Sequence, residues 1–240
     1  MVLKVFFRSS RQDDFHYRGK ELFRIEALSD AVFAFSVSLL VASLEVPQTF
    51  AELKVITKGV IPFFLTISIV FLFWYQQYMF FRRYGLNDLR TIVLNLAYLA
   101  VVIFYIYPLK FLFSLLISAW SGIDLFARAN DEGLVVLSKE EFPQLIMLFS
   151  IGYFLVWLII FLLHQHVIKL SASFSFTQYE KLLTQKERRG ALWNALVGLS
   201  ALLFAIVHWE VIAGICYLFI PFILWINHYL FRKKVKKYKG

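Results

Sequence analysis

The chain is short of cysteine, of charge and of linker-forming residues, and each shortage removes a class of protein. Cys216 is its single cysteine, so neither an internal disulfide nor a cysteine cluster for a metal can form. Charged residues make up 17% of the 240 positions and hydrophobic ones 60%. A soluble domain of this length has no core large enough to hide that much apolar surface. The 5 prolines and 10 glycines are scattered, no internal repeat is detectable, and one domain over residues 1–240 is the simplest parse. Enzyme signatures are missing as well: no Gly-x-Ser-x-Gly elbow, no His-Glu-x-x-His pair, no phosphate-binding glycine loop. Of the 5 histidines only His164 and His166 are close in sequence. Two helical positions apart, they point about 200° from each other and do not chelate one ion together. The residues point to a non-enzyme that takes no metal.

What the chain does have is long apolar runs. Six reach the roughly 20 residues that cross about 30 Å of hydrocarbon; they lie near 25–45, 57–80, 91–118, 143–165, 190–207 and 210–231. None shows the ten-residue alternation of a barrel strand, so the expected fold is an all-α integral membrane protein of six helices. The N-terminus has too short an apolar run, and no small-residue cleavage site, for a signal peptide, so the first span is expected to stay in the mature protein. Most of the 25 lysines and arginines fall in residues 1–24, the 80–91 loop, the 164–189 loop and the tail from Arg232. The positive-inside rule then places both termini in the cytoplasm of a cell-membrane protein. A net charge of +9, with "RKKVKKYKG" at the end, reads as a tail held at anionic lipid head groups rather than as a nucleic-acid site. The stretch "TQYEKLLTQKERR" reads as a short helix leading into the fifth span, and the loop around 119–142 as a polar connection turning at Gly122 and Gly133.

One segment carries chemistry: "RIEALSDAVFAFSVSLL", residues 24–40. Arg24, Glu26 and Asp30 open an apolar run, and Asp30 lies roughly 9 Å deeper along the helix than Arg24. An ionised carboxylate at that depth costs several kcal/mol unless paired. The expectation is therefore a buried polar knot, with Asp30 held by a basic or amide partner on another helix. Trp74, Gln77, Asn95 and Arg90 share its depth. Beyond Asp30, Phe35, Leu39 and Ala42 repeat at helical spacing as an apolar stripe. Small residues (Ala31, Ala34, Ser38, Ala42) permit close helix approach. Spacing alone fits core packing as well as a pore.

The same segment resembles the Arg-x-x-x-Phe-Ser-Asp signature of the transmembrane protein 175 family of potassium channels. Arg24, Ser29 and Asp30 match it, as do Val32, Phe33, Ala34, Leu39 and Leu40. Trp74 in the second span and Asn95 in the third also fit, so the similarity extends over residues 21–232. The resemblance implies a homotetramer whose pore is lined by the first helix, with K⁺ as the permeant ion and no cofactor. The Thr-Val-Gly-Tyr-Gly carbonyl filter is absent from the family and from this chain. In its place the resemblance implies rings of apolar side chains at Phe35, Leu39 and Ala42, with Ser38 where the family has a selectivity threonine. Leu28 replaces the motif phenylalanine, Gln77 and Tyr78 replace a histidine pair, and "VASLEVP" leaves the third ring open between Ala42 and its neighbours. Two rival readings stand beside the channel: a proton-coupled transporter titrating at Asp30, and a membrane scaffold that transports nothing.

Overall fold

The computed structural model describes residues 15–42, 46–122, 125–126, 133, 135–138, 140–171 and 174–239. Among them every regular element is helical: α1 (Arg24–Ala42), α2 (Phe50–Lys58), α3 (Val60–Tyr84), α4 (Leu89–Ser121), α5 (Phe142–Leu170), α6 (Gln178–Ile206), α7 (Glu210–Leu218) and α8 (Ile220–Lys239). Six crossings are long and apolar enough to span a bilayer: α1, α3, α4, α5, α6 and the α7–α8 pair taken together. The protein is a multi-pass membrane protein. Residues 1–14, much of the loop around 119–142, and the neighbours of Ala42 at 43–45 lie outside the described residues.

Helix ends follow from local chemistry. Phe23 starts α1: its carbonyl accepts the Glu26 and Ala27 N–H groups, and the Glu26 carboxylate accepts the Phe23 N–H at 3.1 Å. α3 ends at Gly85, which takes the left-handed conformation (φ 58°) that glycine adopts at no steric cost. A side chain there would press within 2.8 Å of the Arg18 carbonyl. Asp88 caps α4 by accepting from the Thr91 backbone and hydroxyl. Thr177 and Glu180 form a reciprocal capping box at the start of α6.

Several boundaries differ from expectation. The stretch "TQYEKLLTQKERR" is not a separate short helix; it is the first part of α6, continuous with the fifth span. The loop between the first two spans contains a further helix, α2, which ends where Gly59 separates it from α3. The sixth span breaks at Phe219. Pro221 has no N–H for the carbonyl one turn back, so the ladder cannot run through.

α5 and α6 pack most extensively, α4 lies against α5, and α1 packs against α3 and α4. Gly152 on α5 lies face to face with the Tyr105 ring of α4, leaving no room for a β-carbon. Where α3 finishes and α6 begins, the Tyr84 hydroxyl donates to Thr184 Oγ1 at 3.0 Å and so ties α3 to α6.

Candidate functional site around the first helix

α1 has one inward face. Ile25, Ser29, Phe33, Ser36 and Leu40 are buried, the spacing of a single stripe on a 3.6-residue helix. Phe33 meets the Tyr98 ring of α4 at 6.5 Å between centroids. Ser36 returns its hydroxyl to the Val32 carbonyl at 2.8 Å, so its polarity is consumed within the helix.

Ser29 joins a longer chain. Its Oγ donates to the Ile25 carbonyl at 2.7 Å and accepts from Asn95 Nδ2 at 2.9 Å. Asn95 Oδ1 in turn accepts from Gln77 Nε2 at 3.1 Å. All three side chains are buried, Ser29 and Asn95 completely. The chain links α1, α4 and α3, and it turns otherwise costly buried amides into cross-helix ties.

The expected knot therefore exists with a different centre. Asp30 is exposed, not buried, and its partner is neither basic nor an amide: Oδ1 accepts from the Trp74 indole at 2.8 Å. Trp74 is half-buried and stacks on Tyr78 at 5.5 Å. Neighbouring helical residues point about 100° apart, so when Ser29 faces the core Asp30 is carried to its rim. Arg24 and Arg90 are exposed and join none of the ion pairs among the described residues. Leu28 is 46% exposed.

The opposite face of α1 is bare. Phe35 is 58% exposed; Ala31, Ala34, Ser38 and Ala42 are exposed and Leu39 is half-buried. Ser38 stands near the middle of this face, and Phe35 and Leu39 lie along one flank. The Ser38 hydroxyl donates to the Ala34 carbonyl at 3.0 Å, so it presents lone pairs outward. A pocket of about 140 Å³ lies at the N-terminal end of α1, lined by Glu21, Glu26, Asp30, Gln77, Tyr78 and Arg82 among others.

Residues 24–105, which contain α1, α3 and the Asn95 half of α4, match the family described as the endosomal/lysosomal potassium channel TMEM175. A protein of Marivirga tractuosa named "Potassium channel" is 34% identical over 194 residues, covering 81% of this chain and 78% of that protein. This chain belongs to the TMEM175 family. In shape it is similar to a crystallised variant of the potassium channel MtTMEM175, with a TM-score of 0.81 at 30% identity over 93% of this chain and 99% of that one. It shares its fold with a lysosomal potassium-selective TMEM175 homologue from Chamaesiphon minutus, at a TM-score of 0.54 and 17% identity over 85% of this chain and 96% of the other. As a TMEM175 member the chain belongs among channels, not enzymes.

Sequence reasoning missed the fastening that precedes α1. The Arg18 and Gly19 N–H groups donate to the carbonyls of Arg83 and Arg82 at 3.2 Å each. The Arg18 guanidinium grips Glu180 with both nitrogens, at 2.9 and 3.1 Å, and lies 4.6 Å from the Phe176 ring. The Thr177-x-x-Glu180 spacing signals the capping box in the sequence. Nothing local signals that Arg18 would complete it. The two histidines have separate partners: His164 Nδ1 contacts the Ile160 carbonyl, and His166 Nε2 lies 2.8 Å from Asp88 Oδ2. Partial burial pushes the Asp88 carboxyl up, but the Thr91 and His166 contacts outweigh it and hold it below the usual aspartate range.

Proposed function

We propose that this chain is the subunit of a homotetrameric, potassium-permeable cation channel of the cell membrane, with both termini cytoplasmic. Four copies of α1 surround the pore, Phe35, Leu39 and Ala42 form an apolar constriction, and Ser38 contributes hydroxyl oxygens beside it. The supporting observation is the exposed flank of α1. A bulky phenylalanine, 58% exposed, sits six residues beyond a serine whose side of the helix is fastened to α3 and α4. One α1 cannot enclose an ion path, so the bare face calls for further copies of itself. Small Ala31 and Ala34 on the same face let those copies approach closely.

A narrow apolar ring blocks ions because water leaves it and a bare cation cannot shed its hydration there. K⁺ is the permeant ion in this reading, no cofactor takes part, and no nucleic acid is a partner. The basic end of α8, from Arg232, rests on anionic lipid head groups. Ser29 and Asp30, with Trp74, Gln77 and Asn95, hold the helix that carries the ring, Arg24 and Leu28 stand exposed at its start, and none of them touches ions.

The test is K⁺ flux and single-channel recording from purified protein in liposomes. Phe35→Ser is expected to raise leak conductance and lower discrimination between K⁺ and Na⁺, with Leu39→Ala acting the same way more weakly. Val41→Ala, on the other flank of the bare face, is the control and is expected to change little. Unaltered conductance in Phe35→Ser refutes the constriction, and a monomer by light scattering with full flux refutes the assembly. Uptake against a gradient, abolished in Asp30→Asn, would establish the transporter instead. No flux under any condition would leave the scaffold.

A further inference from the structure

Away from α1, a cavity of about 450 Å³ opens between α3 on one side and α5, α6 and α8 on the other. That volume is within the roughly 300–1,000 Å³ of pockets that hold small molecules. α8 packs mainly on α6 and its short neighbour α7 and leaves this flank open. The wall is graded along the membrane normal. Ile69 and Phe73 of α3, with Ile220 and Leu224 of α8, form an apolar end; Lys186 and His228 stand at the other. The charged and imidazole members lie toward the end where α6 begins and α3 finishes; Tyr153 and Asn194, deeper in the wall, bond each other at 2.7 Å.

The polar mouth carries an excess of positive charge. Glu187 is the carboxylate in the wall, and it is shared between Lys186 at 3.3 Å and Arg83 at 3.4 Å. Arg189 reaches the cavity residue Asn227 at 3.1 Å, and Lys186 and Arg232 flank His228. Lys186 and His228 line this end directly, and Arg83, Arg189 and Arg232 stand just behind it, against the single carboxylate of Glu187.

We propose that this cavity binds one anionic glycerophospholipid of the cytoplasmic leaflet, an acyl chain lying between α3 and α8 and the phosphate at Lys186 and Arg189. The charge pattern favours an anionic head group over a zwitterionic one, and the apolar depth favours a lipid over free phosphate. Each basic side chain near an anionic head group contributes about fivefold in affinity.

The test uses the delipidated full-length protein in detergent. It is mixed with dioleoyl phosphatidylglycerol, with dioleoyl phosphatidylcholine or with inorganic phosphate, and the retained ligand is counted per chain by native mass spectrometry. One phosphatidylglycerol per chain, bound at least about fivefold more tightly than phosphatidylcholine, is expected. Lys186→Gln should reduce that preference by about fivefold, and Leu224→Trp, which fills the apolar end, should abolish retention while the oligomer stays intact. Equal retention of both lipids, retention of neither, or retention unchanged in Leu224→Trp overturns the proposal. So does binding of inorganic phosphate as tight as that of the lipid. Dissociation of the oligomer by Leu224→Trp would make the cavity a seat for a neighbouring subunit, and overturns it too.

Discussion

Replacing Arg18 by Met is the sharpest perturbation of the fold that positions α1. The Glu180 side chain is wholly buried and that of Arg18 is 17% exposed. Breaking a buried pair by removing one partner costs roughly 3–5 kcal/mol, because the remaining charge is left uncompensated. Here the Glu180 carboxylate still accepts the His16 N–H and the Thr177 N–H, each at 2.9 Å. That residual support puts the cost at the lower end, about 3 kcal/mol. Chains of this size lose about 2–4 °C of melting temperature per kcal/mol. Arg18→Met should therefore lower the transition by about 6–12 °C, followed by tryptophan fluorescence on the detergent-solubilised protein.

A double-mutant cycle decides whether the effect belongs to the pair. Glu180→Gln alone loses the charge and keeps one acceptor oxygen, so it satisfies one of the two backbone donors, which bond different oxygens of the carboxylate. If the ion pair carries the cost, the double variant is less destabilised than the sum of the singles by about 0.5–3 kcal/mol. Arg18→Lys should fall between wild type and Arg18→Met, since lysine cannot make the two-pronged contact. A shift below about 1 °C in Arg18→Met, or strict additivity, would refute the reasoning; about 1 °C corresponds to under 0.5 kcal/mol.

The buried amide chain is weaker and should respond accordingly. Asn95→Ala strands the Gln77 amide donor and should cost about 1–3 kcal/mol, much of it recovered in the Asn95→Leu, Gln77→Leu double variant; thermal melts decide, and no recovery would sink the network reading. Because Asp30 is exposed, Asp30→Asn and Trp74→Phe should each cost about 0.5–1.5 kcal/mol, and a melting loss matching more than about 3 kcal/mol in Asp30→Asn would show a buried anion after all. Asp88 has a lowered carboxyl pKa in the fold, so its stabilising contribution is present above the ordinary aspartate range and is lost as pH falls through it. Melts from neutral pH down to about pH 3, below the reference aspartate value, should show a smaller acid loss in Asp88→Asn than in wild type; parallel curves would remove Asp88 from the acid response.

The spans were legible because a 20-residue apolar run has few other uses, and the α1 motif because its polar residues interrupt such a run. The phase of α1 was harder to read. A membrane helix is apolar on nearly every side, so periodicity does not say which of two adjacent polar residues faces inward. Ser29 and Asp30 were therefore exchangeable on paper, and the charged one attracted the buried role. The environment inverted it: the hydroxyl satisfies itself on the Ile25 carbonyl and enters the core cheaply, whereas the carboxylate keeps to the rim with one indole donor. The Arg18–Glu180 contact spans 162 residues, and no local pattern joins two residues that far apart. The break at Phe219 was readable from Pro221, yet the continuous hydrophobicity around it hid the signal.

The two fastenings of α1 differ in strength, and that difference bears on how the proposed pore moves. The Arg18 clamp precedes the helix and holds the chain to the ends of α3 and α6 by a charged pair worth several kcal/mol to break. The Ser29–Asn95–Gln77 chain lies within the membrane, where cross-helix hydrogen bonds average only about 0.6 kcal/mol. Phe35 lies six residues, or about 9 Å, beyond Ser29. A rotation of α1 that swings Phe35 off the pore axis must release the Asn95–Ser29 bond but can leave the Arg18 clamp closed. The cost of that release is close to thermal energy, so the amide chain acts as a catch and the clamp as a fixed anchor. Weakening the catch should then change how often the pore opens without altering the conductance of the open state. Asn95→Ala recorded in single channels is expected to raise open probability at constant unitary current, and a changed unitary current with unchanged open probability would place Asn95 in the ion path instead.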